Sequence, residues 1–248
     1  MRHAALAALA AGAALVLAGC GSSSSGGASA EVTTSNPPAS TVTPGTAPSG
    51  QNNANGCTTV PTARPRDLQF NAEPKLTVAK STYTATIVTN CGTIVVSLDG
   101  KHAPHTVNSF AFLAGKGYFD DTPCHRLTTS DIFVLQCGDP TGTGSGGPGY
   151  AFKDEYLNDP ALGKPDATDT VTYPAGIVAM ANSGPNTNGS QFFLVYKDSP
   201  LGPNYTPFGR ITAGLDVVDR IAAAGSNPQG DGAPVQPVVI ESFKVKKG

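Results

Sequence analysis

Gly176-Ile177-Val178-Ala179-Met180-Ala181-Asn182-Ser183-Gly184-Pro185-Asn186-Thr187-Asn188-Gly189-Ser190-Gln191-Phe192-Phe193 is the most informative run of this chain. Its ends are apolar β candidates, Ile177–Ala181 and Phe192–Tyr196. Between them stand almost only Gly, Pro, Asn, Ser and Thr, the residues that turn a chain rather than extend it. The pattern is that of two short strands joined by a long polar loop.

Upstream, Cys124–Leu127 and Phe133–Cys137 are further β candidates. Earlier still, Tyr83, Ala85 and Ile87 alternate with threonines as far as Thr89, and Asn90-Cys91-Gly92 supplies turn chemistry. Thr93–Leu98 then returns as the second strand of a hairpin. Pro104 opens a helix whose Val107, Phe110, Ala111 and Ala114 form the expected apolar stripe, and Gly115 and Gly117 stop it. Downstream, Phe208–Thr212 and Val238–Val245 are strand candidates, and Leu215–Ala224 is a helix expected to bury Leu215, Val218 and Ala222. About eight strands with only two helices cannot cover both faces of a parallel sheet. An all-β fold is therefore expected: a closed eight-stranded antiparallel barrel capped by two α-helices.

Two segments carry a family resemblance: His125-Arg126-Leu127 with Phe133-Val134-Leu135-Gln136-Cys137-Gly138-Asp139, and the run from Gly176 to Phe193. Together they resemble the cyclophilin family of peptidyl-prolyl isomerases, over roughly Thr82 to Val245. The resemblance implies the same capped barrel and an enzyme that turns X–Pro bonds. Four departures stand out. Two more residues lie between Arg126 and Phe133 than in the common family form; Val134 replaces a bulky methionine; Pro200 falls on a tryptophan and Tyr205 on a histidine.

The implied roles agree with the chemistry. Rotation about a peptide C–N bond faces a barrier of ~18–20 kcal/mol, because nitrogen shares its lone pair with the carbonyl. In the twisted transition state that pair localises on nitrogen, so a donor aimed there acts more strongly than in the ground state. Arg126, always charged and rigid, suits this role. The resemblance makes Arg126, Phe133 and Gln136 catalytic, with Phe133, Val134, Phe193 and Leu201 around the proline ring. It gives Gln136 and Asn182 the substrate backbone, and lines the groove with Gly144, Ala181, Ser183, Gln191 and Tyr205. Without the family pattern, Phe133 and Phe193 would be core residues and Arg126 a surface ion-pair residue. His125, next to Arg126 on a strand, is expected to face the opposite side as a structural residue.

Other chemistries fit poorly. The sequence has no GxSxG elbow and no HExxH, and its histidines are His3, His102, His105 and His125. Gly142–Gly147 lacks the GK[ST] ending of a phosphate loop and is read as the rim of a binding site. A net charge of −2 with 14% charged residues leaves no basic field for nucleic acid. No cofactor or metal is expected, since the cysteine and histidine spacings match no zinc motif.

The N-terminus reads as an address. Met1-Arg2-His3 precedes an apolar stretch from Ala4 to Ala18, too short to span a ~30 Å hydrocarbon core and suited to a signal peptide. Leu17-Ala18-Gly19-Cys20 resembles a bacterial lipobox, which implies acylation of Cys20 and attachment to the outer face of the cell membrane. The expected organisation is a lipoprotein signal peptide at 1–19, a disordered Ser/Thr/Gly/Pro-rich tether at 20–56, an extended lead-in at 57–76 and the isomerase domain at 77–248. Cys57, Cys91, Cys124 and Cys137 then remain for disulfides in an oxidising compartment, with three possible pairings. Side-chain parity weighs against Cys124–Cys137, unless a bulge intervenes. Expected partners are proline-containing segments of exported or unfolded proteins and a lipid membrane, the domain acting as a monomer. Cyclosporin, which family members bind in this groove, should bind weakly because Pro200 lacks the indole donor. The competing reading is a proline-peptide-binding chaperone or adhesion-like lipoprotein, which would have no need of Arg126.

Overall fold

Alternation of apolar and polar residues is directly visible as alternation of burial in the first two strands. In β1 (Thr82–Thr89), Tyr83, Ala85 and Ile87 point inward; in β2 (Gly92–Asp99), Ile94, Val96 and Leu98 do the same. Thr89 pairs with Gly92, leaving Asn90-Cys91 as a two-residue loop, and Gly92 holds φ +136° where a side chain would be strained. The computed structural model describes residues 53, 55–60 and 68–248. The expected signal peptide, Cys20 and almost all of the expected tether lie outside the described residues.

Helix α1 (Pro104–Gly115) follows, with proline in its first turn and no side-chain cap of its own. Its first N–H groups are satisfied from a distance: the Glu155 carboxylate accepts from His105 N (3.1 Å), Thr106 N (2.8 Å) and Thr106 Oγ1 (2.8 Å). The buried stripe differs from expectation. Val107 and Phe110 are inside, but Leu113, Thr106, Asn108 and Ser109 join them, while Ala111 and Ala114 are only partly covered. The reason is a second covering layer. The lead-in crosses this helix, and the Asn108 side chain accepts from Thr77 N and Val78 N and donates to the carbonyls of Pro74 and Lys75.

Next come β3 (Thr122–Pro123), β4 (Arg126–Thr128), β5 (Val134–Cys137), β6 (Val171–Tyr173), β7 (Ile177–Met180), β8 (Phe192–Val195), β9 (Ser199–Leu201) and β10 (Pro207–Ala213). Helix α2 (Leu215–Ala223), β11 (Ser226–Asn227), β12 (Asp231–Pro234) and β13 (Val239–Lys247) complete the chain. In α2 the fully buried residues are Val217, Val218 and Ile221, so the face is rotated from the expected Leu215, Val218 and Ala222.

The barrel closes through the segment from Thr122 to Thr128. Its first half pairs with β13 (Thr122 opposite Ile240), and Cys124 N–H donates to Val238 O. Its second half pairs with β5 (Arg126 opposite Gln136), and His125 N–H donates to Gln136 O. Counted as one stave, this segment joins β5, β8, β7, β10, β2, β1 and β13 in a ring of eight antiparallel staves. Inside lies an aromatic core in which Phe110 meets Phe119, Phe192 and Phe208 at centroid distances of 5.2, 5.5 and 4.7 Å.

The handover at Cys124-His125 also corrects the cysteine parity. That expectation assumed one continuous ladder from Cys124 to Cys137. Because the strand changes partner there, the two Cα atoms come to 4.0 Å and a disulfide forms. Cys57–Cys91 is the other bridge and ties residue 57 to the first hairpin. Asn53, Asn55 and Gly56, within the expected tether, belong to a turn fastened by Asn53 Oδ1 accepting from Cys57 N–H (3.1 Å).

Both sides of the β5–β8–β7 wall are covered. Phe192 and Leu194 face the barrel core, whereas Phe193 and Val195 join Val134, Val171, Tyr173, Ile177 and Ala179 in a second apolar cluster. A two-stranded sheet of β6 and β9 forms the outer part of that cluster. Neither short strand was expected; β9 is Ser-Pro-Leu, a poor strand sequence that only an edge position tolerates.

Candidate active site

Strand register lines up the outer face of the wall. Arg126 stands opposite Gln136, Gln136 opposite Phe193, and Phe193 opposite Ala179, so a cation, an amide and an aromatic ring fall in one row across β4, β5, β8 and β7. Beside this row is a cavity of about 150 Å³ lined by Arg126, Ile132, Val134, Gln136, Ala181, Asn182, Phe193, Leu201 and Tyr205. Its floor is apolar and buried: Val134 and Phe193 are 2% and 4% exposed. Tyr205 meets Phe193 edge-on at 5.6 Å. Behind both lies Tyr173, whose hydroxyl donates to Tyr205 O (2.8 Å) and accepts from Tyr205 N–H (3.2 Å). Burial pushes the Tyr173 phenol up to about 12, so it stays protonated.

The arginine is held from two directions. Its Nε and Nη2 donate to the two carboxylate oxygens of Asp231 at 2.8 and 2.7 Å, and Nη1 donates to Gln136 Oε1 at 3.3 Å. Gln136 Nε2 donates to Gln191 Oε1 (2.9 Å), and Gln191 Nε2 donates to the carbonyls of Gly144 and Gly146, both at 2.9 Å. A relay of amides thus runs from the guanidinium to the glycine loop. That loop is wound on Asp139, fully buried, whose carboxylate accepts from Thr141 N (2.7 Å), Gly144 N (2.7 Å) and Gly146 N (3.0 Å). Burial alone would raise the Asp139 carboxyl; the hydrogen bonds from Thr141, Gly146 and Gly144 outweigh it and hold it below the usual carboxylate range.

A second, polar groove of about 350 Å³ adjoins the first. Gln136, Gly144, Ala181, Asn182, Ser183 and Gln191 are among its walls. Asn182 lines both cavities and is fixed by its own bonds: Nδ2 donates to Asn204 O (2.8 Å) and Oδ1 accepts from Gly184 N.

Of the residues expected in the site, Phe133 alone is not brought there. Val134 and Gln136 share a face of β5, so Phe133, next before Val134, turns the other way, while Ile132 reaches the cavity from the bend that precedes the strand. Its ring meets Tyr196 at 5.9 Å with the Lys197 ammonium 4.4 Å above it. Ile132 holds the wall position that Phe133 was expected to take. The residue order shows the parity, but the two extra residues before Phe133 hide which member of the pair faces the cavity. Asp231 was also missed, for a different reason: it lies 105 residues from Arg126, and no local signal links them.

His125 packs against the glycine loop, and an added Cβ on Gly144 would sit 3.6 Å from its ring. Both ring nitrogens are shielded from solvent. Burial lowers its pKa; the Asp139 carboxylate opposes that shift and Arg126 adds to it.

A family model described as cyclophilin type peptidyl-prolyl cis-trans isomerase/CLD matches residues 84–245. A probable peptidyl-prolyl cis-trans isomerase B of Mycobacterium leprae is 52% identical over 180 residues, which cover 69% of this chain and 59% of that protein. Its namesake in Mycobacterium tuberculosis is 54% identical over 165 residues, covering 63% of this chain and 52% of the relative. This chain therefore spans between half and two thirds of those mycobacterial proteins. A peptidyl-prolyl cis-trans isomerase-like 1 protein of Aspergillus oryzae is 41% identical, and the match covers 64% of this chain and 94% of the relative. Among solved structures, a cyclophilin type peptidyl-prolyl cis-trans isomerase of Cryptosporidium parvum superposes with a TM-score of 0.56 at 29% identity, covering 67% of this chain and 99% of that one. The same protein solved in the presence of the dipeptide Ala-Pro gives 0.55 at 30% identity, covering 66% of this chain and 99% of that one.

Proposed function

The chain belongs to the cyclophilin-type peptidyl-prolyl cis-trans isomerases, and on that premise we propose that it accelerates rotation about X–Pro bonds in exported or unfolded polypeptides. The observation that carries this reading is the position of Arg126, a half-exposed guanidinium in the wall of a cavity of about 150 Å³ with an apolar floor.

The reaction makes and breaks no covalent bond. The proline ring enters between Ile132, Val134, Phe193, Leu201 and Tyr205, and the chain on either side is held by the polar groups of Gln136 and Asn182. Rotation localises the lone pair on the prolyl nitrogen, and an Arg126 N–H donates to it. A thousandfold acceleration needs about 4 kcal/mol. A hydrogen bond from a charged donor supplies about 1.5–3 kcal/mol, and the buried apolar floor strengthens it. Substrate-binding roles for Gly144, Ala181, Ser183 and Gln191 follow from their place on the adjoining groove.

An isomerisation assay on a short Ala-Pro peptide tests the assignment. The wild-type protein should show saturable acceleration, and Arg126→Ala should lose at least nine tenths of it with an unchanged melting temperature, since a surface substitution moves stability by less than ~0.5 kcal/mol. A variant that keeps half the wild-type rate removes Arg126 from the mechanism.

The same proposal places the enzyme outside the membrane, anchored through acylated Cys20. The signal-like N-terminus supports this, as do two disulfides, Cys57–Cys91 and Cys124–Cys137, which suit an oxidising compartment.

A further inference from the structure

Asp231 sits on β12 between two glycines, and both matter to its placement. Gly230 holds φ +93°, outside the range that side chains favour. A Cβ on Gly232 would lie 2.4 Å from the backbone of Asn227 and Pro228. Gly232 thus lets β12 lie tight against the Asn227-Pro228 backbone, and on its other side β12 pairs with β4, with Asp231 opposite Thr128 and Gly232 opposite Leu127. The carboxylate then grips one edge of the Arg126 guanidinium through two parallel bonds, at 2.8 and 2.7 Å.

A guanidinium has five N–H groups. Asp231 takes the one on Nε and one on Nη2, and Gln136 Oε1 takes one on Nη1. One N–H on each terminal nitrogen is left for a substrate. Without the carboxylate, the 3.3 Å bond to Gln136 would be the one side-chain hydrogen bond left to steer the arginine among the described residues. We propose, on the basis of the isomerase assignment above, that Asp231 is a positioning residue which fixes the plane of the Arg126 guanidinium so that a free N–H meets the prolyl nitrogen.

Two effects of the carboxylate oppose each other. Its negative charge weakens Arg126 as a donor, while its bidentate grip keeps the donor on target. The side chains of Arg126 and Asp231 are 39% and 56% exposed, so water screens the first effect. Orientation is not screened, and small misplacements of a reacting group cost large factors in rate. Orientation therefore dominates. For the same reason of exposure, the ion pair contributes little to folding stability, which separates a positioning role from a structural one.

The test is a set of five proteins: wild type, Asp231→Ala, Asp231→Asn, Arg126→Ala and the Arg126→Ala/Asp231→Ala double variant. Each is assayed on an Ala-Pro peptide with kcat and KM resolved, alongside its melting temperature. Asp231→Ala should lower kcat by about tenfold with KM within about twofold and the melting temperature unchanged. Asp231→Asn, which keeps one acceptor oxygen and the shape of the side chain, should fall between it and the wild type. In the Arg126→Ala background, Asp231→Ala should change nothing further, because the residue acts only through the arginine. The proposal is overturned by an Asp231→Ala kcat within twofold of wild type or above it. It is equally overturned by a kcat loss that persists undiminished without Arg126. A fully active Arg126→Ala protein would instead overturn the isomerase role of Arg126, a different result from either of these.

Discussion

At the scale of single residues, two positions at the site have measurable consequences, and the first is a departure from the family's common form. Pro200 is exposed on β9, immediately before the cavity residue Leu201. Proline has no side-chain donor and less apolar surface than the family's tryptophan. The missing hydrogen bond is worth about 0.5–1.5 kcal/mol and the missing burial about 1.5–3 kcal/mol. On the proposed activity, cyclosporin should therefore inhibit this protein roughly two to three orders of magnitude more weakly than tryptophan-bearing relatives, and Pro200→Trp should regain part of the difference in an inhibition titration. Low-nanomolar inhibition of the wild type would contradict this. The second position is His125. No proposed step changes a protonation state, so the isomerisation rate should be flat from about pH 6 to 8. Stability should not be flat. The folded His125 has a lowered pKa, so as pH falls below about 6.5 the unfolded chain takes up its proton first and stability declines. His125→Gln should reduce that acid slope when urea midpoints are compared at pH 5 and pH 7.5; an unchanged slope would assign it to other groups.

Among the elements, the stave from Thr122 to Thr128 does most to shape the site. By changing partner at Cys124-His125 it closes the barrel, presents Arg126 outward and brings Cys124 to Cys137. Both cysteines are buried, at 4% and 1% exposure, and the bridge closes a loop across 13 residues of sequence. A loop of this size stabilises a fold by about 3 kcal/mol through loss of unfolded-chain entropy. The double variant Cys124→Ser/Cys137→Ser should lose about that much in denaturant unfolding, with its rate at 25 °C largely retained because the β4–β5 ladder still sets Arg126 against Gln136. A rate loss exceeding the fraction unfolded would show that the bridge also holds the site. The second element that matters is the loop wound on Asp139, which carries the carbonyls that orient Gln191 and, through it, Gln136.

For the whole molecule, anchor and catalysis should be separable. The expected lipidation site, Cys20, lies 106 positions before Arg126 in the sequence and outside the barrel's motifs. Energetic effects of distant, independent sites add. Cys20→Ser should therefore move the protein from the membrane fraction to the soluble fraction of expressing cells while leaving the rate constant on a small peptide unchanged. Mass spectrometry of the mature native protein decides the premise: an unmodified Cys20 would remove the anchor from the proposal.

The architecture was legible in the sequence wherever it depended on local chemistry. Burial alternation in β1 and β2, the two-residue turn at Asn90-Cys91, the proline-started helix and the eight staves all follow from residues close together in the chain. The grouping of Arg126, Gln136 and Phe193 followed from the family pattern. Tertiary structure decided whatever depended on register between distant segments. Phe133 is turned from the cavity because its backbone pairs with Tyr196 beside β8, and Ile132 enters instead from the bend before β5. The Cys124–Cys137 bridge exists because the stave changes partner, which interrupts the period-two count. The buried faces of α1 and α2 are rotated from the expected stripes, and for α1 the lead-in covers a second side. Asp231 reaches Arg126 only because β12 folds back onto β4, and a contact between residues so far apart in sequence leaves no mark in the local pattern of either.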